Sequence, residues 1–110
     1  MDRLLLRVLA TLAFLAISTW LFVALSRVGH PFELEWQEGG MLAHVERLVA
    51  GLPLYAEPSL EFAAFPYPPL FHWVAAASTG VVGTGFGALR LVSILATVYT
   101  LVLLALHGTR

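Results

Sequence analysis

The chain has no cysteine and no lysine, and only 12% of its 110 residues are charged. Without cysteine there is neither a disulfide framework nor a thiolate metal site, and cysteine usage says nothing of the compartment. Without lysine, six arginines face seven acidic residues, so the basic face that nucleic-acid binding requires is missing. Soluble domains carry about 25% charged residues, roughly twice the share found in this chain. There is no Gly-rich phosphate loop, no G-x-S-x-G turn and no internal repeat, and no ligand pair has metal-site spacing. Neither a metal nor a cofactor is expected.

What is present is apolar. Hydrophobic residues make up 59% of the chain and its mean hydropathy is +0.84. Leu4 to Leu25 is an apolar run with one charge, Arg7. As a helix it is about 33 Å long, enough for a hydrocarbon core of about 30 Å. Arg7 lies near enough to its start to reach the headgroups, and Trp20 and Phe22 fall near the other end, where an aromatic belt belongs. Ala24-Leu25-Ser26 has the small-x-small form of a signal-peptidase site, but signal peptides use about 7–15 apolar residues. An uncleaved anchor is therefore expected. Leu91 to Leu106 is a second long apolar run, and the stretch from Pro69 to Phe86 is a third, long enough only for a thin or tilted crossing. Its apolar core, Leu70 to Val82, is short by itself, and the glycines of Gly83-Thr84-Gly85-Phe86-Gly87 read as a turn.

The expected fold is an all-α membrane protein with three transmembrane helices, over about 4–25, 69–86 and 89–107, and an extracytoplasmic loop over about 26–68. Arg3 and Arg7 precede the first span, so the positive-inside rule places the N-terminus in the cytoplasm and the loop outside the cytoplasmic membrane. Arg27 sits on the wrong side for that rule. Arg3, Arg7, Arg90 and Arg110 mark the edges of apolar runs, and Arg90 is expected on the cytoplasmic side.

All six glutamates lie in the loop. Met41, Leu42, Val45, Leu48 and Val49 form one apolar stripe of helical period, so a short amphipathic juxtamembrane helix over about 38–50 is expected. Gly51 and Pro53 follow as stop signals. Glu38 stands at the start of this helix, where the helix dipole favours its ionised form, and Gly39-Gly40 leave space beside it. Glu35 precedes it by three residues. Two carboxylates beside a bilayer can bind a cation, accept hydrogen bonds from sugar hydroxyls or take a proton from a nucleophile. They can equally be solvated loop charges, and spacing alone does not choose. Pro58, Pro66, Pro68 and Pro69 make the stretch from Tyr55 to Pro69 an extended, turn-rich return path.

Glu35-Trp36-Gln37-Glu38-Gly39, Arg47-Leu48-Val49-Ala50-Gly51, Leu54-Tyr55, Tyr67-Pro68-Pro69-Leu70 and Ala88-Leu89-Arg90-Leu91-Val92-Ser93 occur in an order that resembles membrane glycosyltransferases of the GT-C fold. These use polyprenyl-phosphate sugars, and the superfamily includes protein mannosyltransferases and aminoarabinose transferases. The resemblance implies transfer of a sugar from a lipid-phosphate donor to an acceptor hydroxyl at the extracytoplasmic face. It implies Glu38, or secondly Glu35, as the catalytic base, and Tyr55, Tyr67 and Arg90 in substrate binding. Many members carry Asp-Glu where this chain has Gln37-Glu38, which leaves the choice of base open. Such enzymes have roughly ten or more spans, so the resemblance implies the N-terminal part of a larger enzyme and no activity from 110 residues alone. Two other readings remain. One is a small three-span subunit that binds a partner membrane protein through its loop. The other, a channel component, is weakened by the lack of acidic residues in the apolar runs.

Overall fold

Four helices account for the ordered secondary structure of the computed structural model, which describes residues 2–108. They are α1 (Arg3–Arg27), α2 (Glu38–Val49), α3 (Leu70–Val82) and α4 (Phe86–Gly108), and no strand occurs among the described residues. Arg110 lies outside them.

α1 and α4 are the two helices long and apolar enough to cross a membrane, at 25 and 23 residues. Asp2 caps the start of α1 by accepting from the Leu4 N–H at 3.2 Å. The hydroxyls of Thr11, Ser93, Thr97 and Thr100 each donate to the carbonyl four residues earlier, which satisfies them within an apolar helix. The two helices run antiparallel. Trp20, Ala24 and Arg27 of α1 face the same groove as Thr97, Ser93 and Arg90 of α4. Their paired ends meet at Gly87, where an added Cβ would stand 3.6 Å from the Val28 carbonyl oxygen.

α2, α3 and the chain around them form a head at that paired end, on a molecule 60 Å long. α2 buries His44 and Val45, and α3 buries His72 and Ala75. Val45, Ala75 and Leu89 make the small core, with Met41, Leu42, Phe71 and Phe86 packed around it. α2 ends in a Schellman motif: the Leu52 N–H reaches the Arg47 carbonyl at 2.8 Å and the Gly51 N–H reaches Leu48 at 3.0 Å. Gly51 has φ +72°, a conformation that an L side chain makes costly. Gly51→Ala is therefore expected to lower the stability of the head by about 1 kcal/mol, read as a lower denaturation midpoint in detergent micelles. Gly40 is required for a different reason. A Cβ there would collide with the Phe65 ring.

The structure departs from the three-span expectation in one respect. α3 has 13 residues, about 20 Å of helix, and stops at Gly83, whose φ of +82° breaks the helical path. The expected crossing over 69–86 is not a continuous helix. Arg90 is not at the far side from the glutamate-rich loop either. It lies within the head, bonded to that loop, because its guanidinium donates to the Arg27, His30 and Phe32 carbonyls and to the Glu38 carboxylate.

Candidate functional site

Arg90 is 8% exposed and sits one turn into α4, above the exposed end of α1. The last carbonyls of a helix have no intrahelical donor, and the Arg90 guanidinium supplies one. Nη1 donates to the carbonyls of Arg27 at 3.0 Å and His30 at 2.7 Å, and Nη2 to Phe32 at 2.8 Å. The remaining donors grip Glu38 side-on, Nε to Oε1 at 3.0 Å and Nη2 to Oε2 at 2.8 Å. This fork-on-carboxylate geometry is the strong form of an Arg–carboxylate pair. It is the only ion pair among the described residues.

Glu38 opens α2 and is held from the other side as well. Its Oε2 accepts from the Leu34 N–H at 2.8 Å. The hydrogen bonds from Arg90 hold its carboxyl below the usual carboxylate range, partial burial opposes them, and the Leu34 N–H adds to the lowering. Glu35 is exposed and less engaged, with Oε2 accepting from the Gln37 N–H at 3.0 Å. Glu33 lies over the start of α2, where an added Cβ on Gly39 would collide with its Oε1.

The two tyrosines join this assembly through Gln37. The Tyr55 hydroxyl donates to the Tyr67 carbonyl, and the Tyr67 hydroxyl reaches Gln37 Oε1 at 3.4 Å. All five residues singled out from the sequence thus lie in one connected region: Glu35, Glu38 and Arg90 border a groove, and Tyr55 and Tyr67 brace the return path beside it. The groove, about 640 Å³, lies between α1, α2 and α4. Trp20, Val23, Met41, Phe71 and Ile94 give it apolar walls, and Glu35, Gln37, Glu38 and Arg90 give it one polar end.

Two histidines escaped the sequence reading. His44 is buried, with Nδ1 2.7 Å from the Gly40 carbonyl and Nε2 accepting from the Phe65 N–H at 2.9 Å. A carbonyl can only accept and an N–H can only donate, so the ring is neutral with its proton on Nδ1. Phe62, Phe65 and His72 surround it at ring-centroid distances of 4.9, 5.2 and 5.0 Å. His72 is fully buried and neither ring nitrogen has a hydrogen-bond partner. His44 lies at the margin of the apolar stripe of α2 and His72 near the start of an apolar run, positions that suggest water contact. Their pairing across 28 positions has no local signature. Among the described residues no group of His, Asp or Glu converges as a metal site.

No protein-family model, curated protein or solved structure matches this chain.

Proposed function

We propose that these residues form the front of an integral membrane glycosyltransferase, which moves a sugar from a polyprenyl-phosphate donor to an acceptor hydroxyl at the extracytoplasmic face of the cytoplasmic membrane. The observation that carries this reading is the groove: apolar walls from two span-length helices, closed at one end by carboxylates and a guanidinium. Such a cleft suits an amphiphile with a long hydrocarbon tail and a polar head. The order of motifs from Glu35 to Ser93 supports the same class of enzyme.

Within this reading the carboxylates divide their roles. Both Glu38 oxygens are engaged by Arg90, and a carboxylate held ionised is a weak base. Glu38 then positions the loop. Glu35, exposed at the same end of the groove, is the better base for an acceptor hydroxyl. Tyr55 and Tyr67 shape the loop over the sugar. α1 has no buried residue along its whole length, which leaves its outer faces to further spans of the enzyme or to lipid. The same bare helix also favours the second reading, a small membrane subunit whose partner covers α1.

A diazirine-bearing polyprenyl phosphate in vesicles containing the protein tests the groove. Crosslinks are expected at Trp20, Ile94 and Thr97, displaced by unlabelled polyprenyl phosphate. Equal labelling of Phe14 and Leu104, with no displacement, describes bulk lipid contact and removes the donor site. In a chain that turns over, Glu35→Gln should lower transfer by at least about 100-fold, and undiminished transfer excludes Glu35 as the base.

A further inference from the structure

α3 contains no charged residue in its 13 positions. One face of it is accounted for, since His72 and Ala75 are buried against α2 and α4. The opposite face is not polar, as it would be on a helix facing water. Leu70, Trp73, Val74, Ala77 and Val81 stand at i, i+3, i+4, i+7 and i+11, all exposed, with Val81 at 90%. A continuous apolar stripe on a helix of this length requires an apolar neighbour.

The position of α3 identifies that neighbour. α3 starts beside α2, with the His72 and His44 ring centroids 5.0 Å apart. It finishes at Val82, just before the turn into α4. The beginning of α4 is tied by Arg90 to the end of α1. Both ends of α3 therefore lie at the same end of the α1/α4 hairpin. A helix of about 20 Å whose ends lie on one side cannot cross a core of about 30 Å. If α1 and α4 cross, their joined end lies at a membrane surface, and α3 with it.

We propose that α3 is an interfacial helix, its Leu70–Trp73–Val81 stripe immersed in the leaflet at the paired end of α1 and α4, so that the chain crosses the bilayer twice. Trp73 then sits at headgroup level, where indole rings are favoured. The apolar stripe of α3 faces lipid while its histidine face closes the head. This inference needs only that α1 and α4 cross, and it stands apart from the transferase reading.

The lack of native cysteine makes single-cysteine reporters unambiguous. In sealed vesicles of defined orientation, a membrane-impermeant maleimide should label Ser59→Cys and Thr84→Cys from the same side and His107→Cys from the other. Labelling of Thr84→Cys from the side opposite Ser59→Cys, with His107→Cys on the Ser59 side, is the three-crossing pattern and overturns the proposal. A nitroxide at Ala77→Cys or Val81→Cys in phosphatidylcholine–phosphatidylglycerol vesicles then reads what covers the stripe. Collisions with oxygen should exceed those with a water-soluble nickel chelate several-fold, relative to the same ratio at Ser59→Cys. High nickel accessibility means water, and low accessibility to both reagents means a protein partner; either result overturns the lipid assignment. Loss of polyprenyl-phosphate crosslinking with this labelling pattern intact would remove the donor site and leave the interfacial helix standing.

Discussion

Arg90→Met is expected to lower the stability of the head by about 3–5 kcal/mol, the usual cost of removing one partner from a buried ion pair. The substitution keeps the bulk of the side chain while it removes every donor. Glu38, 18% exposed, is left without its cation, the His30 and Phe32 carbonyls lose their donor, and the Arg27 carbonyl keeps only the His30 N–H. Arg90→Lys should recover little of this, because one ammonium cannot reproduce a side-on grip on two carboxylate oxygens and three carbonyls. Near-UV circular dichroism of the three tryptophans, Trp20, Trp36 and Trp73, during denaturant titration in micelles is the measurement. A midpoint within error of the unsubstituted protein would show that the fork contributes nothing.

The same pair sets the pH dependence. The folded-state pKa of Glu38 lies below its unfolded value, so the stabilisation is fully present above the unfolded carboxylate pKa. It is lost as the pH falls through the lower folded value. Unsubstituted protein should accordingly lose more stability on acidification through the carboxylate range than Glu38→Gln does, and the two curves should converge at the acid end. Parallel curves would assign the acid sensitivity elsewhere.

His44→Phe is expected to cost about 2–3 kcal/mol, although it replaces one buried ring with another. The reason is the Phe65 N–H, which donates to His44 Nε2 at 2.9 Å and would be left unpaired beside an apolar ring. The Gly40 carbonyl loses the Nδ1 donor as well. Amide hydrogen exchange localises the effect: protection should fall at Phe65 and its neighbours while α1 and the far half of α4 keep theirs. Unchanged protection at Phe65 would mean that a water or another acceptor replaces the imidazole.

Long apolar runs and one helical stripe were sufficient to place α1, α2 and α4, because those signals are local and each is complete within its own helix. α2 carries its own stop signal at Gly51 as well. The helices do not state how they pack. An arginine at the head of an apolar run reads as a topological flank, and nothing near Arg90 in the chain shows that its carboxylate stands 52 positions earlier. The excess of glutamate over arginine between Arg27 and Tyr67 was the available hint that an outside cation belonged there. α3 was read as a crossing because its count was extended through Gly83, whose positive φ ends the helix. The burial of His44 is not legible for a similar reason: a polar side chain at a stripe margin looks exposed until the segment that covers it, Phe62 to Phe65, is known.

Arg90 also imposes an order on biosynthesis. The Arg27 carbonyl, which already accepts from the His30 N–H at 3.1 Å, gains its second donor only from a residue synthesised 63 positions later. At about 5–20 residues per second, that delay is several seconds. Throughout it, α1 is already long enough to span a bilayer while Glu38 lacks the one cation it pairs with. The head closes around that guanidinium, so a ribosome stalled anywhere before Arg90 leaves a nascent chain in which Glu38 and the His30 and Phe32 carbonyls lack their donor.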